Sequence, residues 1–177
     1  MEMLRANVRQ LISREEISRK VEELGQRISS DFSGESLVVV GLLSGVFPFF
    51  ADLVRSIDLD LQVCFMKVSS YGSEQVSSGT VNLALDIEAP IEGRRVLIVE
   101  DIVDTGQTLA KVLVHLQGYS PANISVCTLL DKPSRRNVKV PVDYIGFSID
   151  DHYVVGYGMD ADGSYRNLPY IGIFDPL

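Results

Sequence analysis

Residues 96–109 read VLIVEDIVDTGQTL. Four apolar residues, Val96 to Val99, run into two adjacent carboxylates, Glu100 and Asp101, and a third, Asp104, follows. A polar turn, Thr105-Gly106-Gln107-Thr108, then opens an amphipathic segment from Leu109 to Leu116. The apolar run reads as a buried parallel strand and the amphipathic segment as a helix. The loop between them offers backbone N–H groups and a helix N-terminus to an anion, ringed by acids that favour a cation or sugar hydroxyls. A plain strand end with solvated acids is the ordinary alternative. It is disfavoured because three acids in five residues repel one another unless something cationic or hydrogen-bonding sits among them. A place that wants a phosphate, a divalent cation and a polyol together points to a phosphorylated sugar bound with magnesium. The chain has no GxxxxGK[ST] motif and no GxGxxG after a strand, so other phosphate loops lose their support.

Working outward, Ser13-Arg14-Glu15-Glu16 is a capping box that opens a helix with apolar positions Ile17, Val21, Leu24 and Ile28. Leu37 to Leu43 reads as a buried strand, followed after Gly45 by a helix through Phe49, Leu53 and Val54. Further strands read over 62–68, 81–85, 124–130 and 144–149. Strands alternating with helices predict an α/β fold, a central mostly parallel sheet flanked by helices, in one domain over residues 1–177. Ligands of such sheets sit beyond the carboxyl ends of the strands. Four loops fall there, 43–46, 69–80, 100–108 and 131–136, and their convergence predicts one composite site.

Composition narrows the function. No apolar run reaches the roughly 18 residues that span a bilayer, and the first residues do not open a signal peptide, so a cytoplasmic protein is expected. Cys64 and Cys127 fall in apolar strands and read as buried thiols rather than a disulfide. A net charge of −8 argues against a nucleic-acid surface. His115, late in its helix, and His152, in a polar turn, lack partners at ligand spacing, so no zinc site is expected.

The central motif, two acids followed by Asp104-Thr105-Gly106-Gln107-Thr108, resembles the phosphoribosyl pyrophosphate loop of type I phosphoribosyltransferases. The blocks LLDKPSRR (129–136), VVGYGMD (154–160) and RNLPYIG (166–172) extend the resemblance from about Ile12 to Gly172, toward the hypoxanthine-guanine branch. It implies the type I fold, with a small base-binding hood formed by the N- and C-terminal segments and a flexible lid carrying Ser70 and Tyr71. It implies that Glu100 and Asp101 hold the ribose hydroxyls and Mg2+, with Asp160 near a second magnesium. Asp104 is implied as the general base, and Asp104 to Thr108 as the 5-phosphate site. Gln107 stands where some relatives have lysine. Ser44 and Gly45, with Arg166, would bind pyrophosphate. In that family the peptide before position 44 is cis and the residue there is usually basic, a charge that Ser44 lacks. Lys132 would reach the exocyclic oxygen at purine position 6, Tyr153 would stack on the ring, and Val154 and Asp160 would lie by the base. A cation that donates to a carbonyl oxygen selects hypoxanthine and guanine over adenine. The implied partners are phosphoribosyl pyrophosphate, hypoxanthine and guanine, with a homodimer or homotetramer as the assembly. The rival readings are an adenine or pyrimidine phosphoribosyltransferase, an RNA-binding regulator on the same fold, and a sugar-phosphate module without catalysis.

Overall fold

The structure, a computed structural model, describes residues 8–68 and 83–175. Ser70 and Tyr71, the expected lid residues, lie outside the described residues. The elements run β1 (Val8–Ile12), α1 (Arg14–Asp31), β2 (Leu37–Leu42), α2 (Phe47–Ser56), β3 (Leu61–Val68), β4 (Leu83–Leu85), β5 (Arg95–Val103), α3 (Gln107–Gln117), β6 (Asn123–Asp131), β7 (Tyr144–Ser148), β8 (Val154–Val155) and β9 (Ile171–Phe174). Six strands form the main sheet in the order β4-β3-β2-β5-β6-β7. Only the pairing of β4 with β3 is antiparallel. The other three strands, β1, β9 and β8, form a separate antiparallel sheet that joins the two ends of the described chain. It is the hood that the resemblance implied.

The central strands are apolar throughout because both faces of the sheet are covered. Successive side chains of a strand point to opposite faces. Val39, Leu97 and Val99 therefore pack with Ile17, Val21, Leu24, Phe49 and Leu53 of α1 and α2. Val38, Val40, Val96 and Ile98 pack on the other side with Leu109, Val112 and Leu116 of α3 and with Ile91. The capping box at α1 forms as expected, with Ser13 Oγ accepting from the Glu16 N–H and Glu16 Oε2 accepting from the Ser13 N–H.

The chief difference from the sequence reading lies where the chemistry does. β5 does not stop at Val99 but continues through both acids to Val103, because β6 keeps pace beside it, pairing Glu100 with Thr128 and Val103 with Asp131. Glu100 and Asp101 thus belong to a strand rather than a loop. α3 starts at Gln107, two residues before the apolar period begins. Cys127 is buried and Cys64 partly buried, both as free thiols. No helix among the described residues is long and apolar enough to cross a membrane.

Candidate active site

The end of β5 is the floor of the site. Glu100 and Asp101 are only partly accessible, and burial followed by the neighbouring charge pushes the Glu100 carboxyl well above the usual carboxylate range. Burial also raises Asp101, against hydrogen bonds from Glu100 and the Ile102 N–H and the charge of Arg166. Two carboxylates so placed fit a divalent cation, since the ion would restore the charge balance that water cannot. Oxygen donors suit magnesium. Among the described residues no group of three His, Cys, Asp or Glu side chains is disposed to hold a metal alone. An ion here would complete its shell with water and substrate oxygens, as magnesium commonly does.

The 104–108 turn rises from this floor over a cavity of about 160 Å³ lined by residues 100–106, Thr108 and Leu109. Gly106 sits at φ +82°, in the left-handed region, and ends the turn as the residue before α3. A β-carbon there would lie 2.6 Å from the Val138 carbonyl oxygen and 2.9 Å from Arg136 Cδ, so only glycine fits without displacement. Having no side chain to cap α3, it leaves first-turn N–H groups for an outside acceptor.

The 43–46 loop closes on Asp101. A β-carbon on Gly45 would fall 1.8 Å from Asp101 Oδ2, and one on Gly158 (φ +100°) would fall 1.9 Å from the Gly45 carbonyl oxygen. Three segments distant in sequence therefore meet at two glycines. The Leu43–Ser44 peptide is cis, as the resemblance implied. Arg166 donates to the Gly158 carbonyl at 2.6 Å and pairs with Asp160 at 2.7 Å. Asp160 also accepts the Gly163 N–H at 2.7 Å.

Residues 131–136 lie beside the turn, joined to it where the Lys132 N–H donates to the Val103 carbonyl. Lys132 is buried, not a solvated rim lysine, and its ammonium donates to the His152 carbonyl at 2.5 Å and lies 3.7 Å from Asp151. Tyr153 is 54% exposed and so is not a core residue. Its hydroxyl donates to the Asp160 carbonyl at 3.3 Å, and its ring meets Phe174 of the hood at 5.8 Å between centroids. Val154 is buried in the hood, paired with Ile173.

Several residues that the sequence reading passed over belong here. Arg135 donates from Nε to Asp104 Oδ1 at 3.2 Å and pairs with Asp151 at 3.6 Å. Arg136 reaches the Asp104 and Val103 carbonyls and the Asp131 carboxylate. Tyr157 donates to Asp52 at 2.5 Å, tying the base-side segment to α2. An aspartate ending an otherwise apolar strand, and two arginines following it, were the available signals. His115 is no mere surface residue: it meets Asp86 at 3.0 Å, beside Tyr119.

Comparison with known proteins agrees with this geometry. Residues 7–162 match the family model for the phosphoribosyl transferase domain. The hypoxanthine-guanine phosphoribosyltransferase of Bacillus subtilis is 48% identical over 167 residues, 94% of this chain and 92% of that protein. A crystal structure of a hypoxanthine phosphoribosyltransferase from Staphylococcus aureus superposes with a TM-score of 0.92 at 40% identity, covering 98% of this chain and 95% of that one. The bifunctional TilS/HprT protein of Listeria innocua is 49% identical over 94% of this chain, which spans only 26% of that longer protein.

The raised Glu100 carboxyl has a measurable consequence for the free chain. A carboxylic acid whose folded value lies above its unfolded value stabilises the fold while protonated, and that contribution is lost as pH rises from the ordinary value near 4.5 through the raised one. Glu100→Gln keeps the shape and removes the charge. Without ligands its Tm at pH 7 should exceed that of the parent by about 2–4 °C, the shift that about 1 kcal/mol gives in a domain of this size. The difference should vanish toward pH 4. Thermal unfolding at the two pH values checks this, and a lower Tm for the variant at pH 7 would contradict it.

Proposed function

The chain belongs to the phosphoribosyl transferase family, and on that premise we propose that it transfers the 5-phosphoribosyl group from phosphoribosyl pyrophosphate to N9 of hypoxanthine, and of guanine, releasing pyrophosphate. The observation that carries this reading is the meeting of an acidic strand end and an anion-binding turn around one cavity, with a buried lysine on the segment hydrogen-bonded to the start of that turn. The acidic floor suits ribose hydroxyls, the turn suits a phosphate, and Lys132 offers a donor matched to a 6-oxo group but not to the 6-amino group of adenine. This donor separates the reading from adenine phosphoribosyl transfer. An RNA-binding regulator would want a basic face, which a net charge of −8 does not favour.

In this mechanism N9 of the purine attacks C1 of the ribose while the bond from C1 to the pyrophosphate oxygen breaks. Positive charge grows on the sugar and negative charge on the leaving group. Glu100 and Asp101 hold the ribose hydroxyls and would hold Mg2+, which when bound neutralises the pyrophosphate charge. Asp160 stands by for a second ion. Ser44 and Gly45 contribute backbone N–H groups to the pyrophosphate, and Arg166 supplies the cation that Ser44 does not. The turn from Asp104 to Thr108 takes the 5-phosphate through its N–H groups and the Thr105 and Thr108 hydroxyls. Asp104, oriented by Arg135, accepts the proton from N7, so that N9 becomes more nucleophilic as it bonds to C1. Tyr153 stacks on the base and Val154 offers backbone groups to its edge. Ser70 and Tyr71 would close over the reacting carbon and exclude water. A homodimer or homotetramer working in the cytoplasm completes the proposal.

Incubation with phosphoribosyl pyrophosphate and Mg2+ should yield nucleotide from hypoxanthine and guanine, with little from adenine or uracil. No product from any base would refute the reading. Asp104→Asn should lower kcat by about 10²–10⁴-fold, the usual worth of general acid–base catalysis, with little change in KM. Unaltered kcat would remove Asp104 from that role. Lys132→Ala should raise the hypoxanthine KM by about 10–100-fold, the cost of a lost charged hydrogen bond, and erode discrimination against adenine. If the parent preference survives, Lys132 does not read the 6-position.

A further inference from the structure

We propose that Arg136, anchored by Asp131, is a positioning residue that aims the peptide N–H groups of the 104–106 turn at the 5-phosphate. The argument begins with peptide geometry. In a trans peptide the C=O of one residue and the N–H of the next point in opposite directions. Whatever seizes a carbonyl therefore aims the following N–H the other way. Arg136 Nε donates to the Asp104 carbonyl at 3.0 Å, and its terminal nitrogen donates to the Val103 carbonyl at 3.3 Å. The Val103 carbonyl also accepts the Lys132 N–H at 3.0 Å, and the Thr105 carbonyl accepts the Asn137 and Val138 N–H groups, each at 3.0 Å.

Three successive carbonyls, of residues 103, 104 and 105, are thus held toward the 132–138 segment. The N–H groups of Asp104, Thr105 and Gly106 are turned to the opposite side. The cavity opens there: its walls include residues 103–106 and none of 131–138. One guanidinium holds two of the three carbonyls, and the terminal nitrogen that reaches Val103 also donates to the Asp131 carboxylate, which is itself buried. Asp131 ends β6 opposite Val103, so the parallel pairing of β5 and β6 sets the anchor in register with the turn. A lysine could not do the same, because its single ammonium cannot span two carbonyls and a carboxylate in one plane. Gly106 belongs to the same device, since any β-carbon there would strike Arg136 and the Val138 carbonyl. Were the carbonyls free to turn inward, their oxygens would face the phosphate and repel it.

This inference rests on the functional reading above, and its test separates the two. In the parent enzyme, ribose 5-phosphate is the probe, because it carries the 5-phosphate without pyrophosphate or base. Its addition should move the amide NMR resonances of Thr105 and Gly106 downfield. Arg136→Lys should raise the KM for phosphoribosyl pyrophosphate and the ribose 5-phosphate Kd together by about tenfold, as expected for a lost charge-assisted bond, with the hypoxanthine KM held within about twofold. Arg136→Met should do more, and Asp131→Asn, which keeps the shape, should do the same more weakly. A purely structural brace would lower Tm and either leave these constants alone or move the purine KM equally; either result overturns the proposal. So do amides that ignore saturating ribose 5-phosphate in the parent protein, a readout that needs no variant to fold. Parent turnover with unaltered variant constants would sink the inference alone, whereas a parent with neither turnover nor sugar-phosphate binding would sink both.

Discussion

Two adjacent carboxylates at the end of the central strand, short of water and close enough to repel, are the constraint around which this molecule is arranged. Their position follows from β6 extending β5 past its apolar portion, which carries Glu100 and Asp101 into the sheet rather than releasing them to a loop. The neighbours then answer to them. Asp101 leaves no room for a side chain at position 45, and the Gly45 carbonyl in turn leaves none at position 158. Arg166, anchored on Gly158, brings compensating charge to the same place. Acids held in this way are raised above the ordinary carboxylate range, a strain of the kind that functional sites carry.

In a chain of net charge −8 the cations beside the acidic strand end have set partners. Lys132, Arg135 and Arg136 follow one another within a single short segment, and each donates to a different acceptor, although Lys132 and Arg135 share Asp151. Lys132 is held by the His152 carbonyl and Asp151, Arg135 by the Asp104 side chain, and Arg136 by the backbone beneath it. Charge is delivered at three points of the cleft while the global field stays acidic. That combination fits a magnesium-borne substrate better than electrostatic capture of bare phosphate.

Much of this was legible in the sequence, for physical reasons. Burial on both faces makes a strand apolar without alternation, so 37–43 and 96–99 declare themselves, and the capping box marks α1 to the residue. The acids of the 96–109 stretch advertise the site because unpaired charge at a strand mouth demands an explanation. The hood was less legible. β8 has two residues and β9 four, too few for any period, and β1 finds its partner only at the far end of the chain. Arg136 was invisible for another reason: its work is done on backbone carbonyls, which leave no mark on the residue types they belong to. The end of β5 was misplaced because the sequence of one strand does not say how far its neighbour will follow it.

The hood has a consequence for how the molecule comes into being. The half with the main sheet is built from strands and helices that follow one another along the chain, up to β7 ending at Ser148. The hood needs Val8 to pair with Phe174 and Val154 with Ile173. During synthesis the main sheet has all its described strands before the hood has its second one, and β1 waits without a partner until β9 leaves the ribosome. Closing so long a loop is slow relative to local pairing. The nascent protein therefore passes through a stage with its acidic floor formed and its hood still open, and the hood is the last part it acquires.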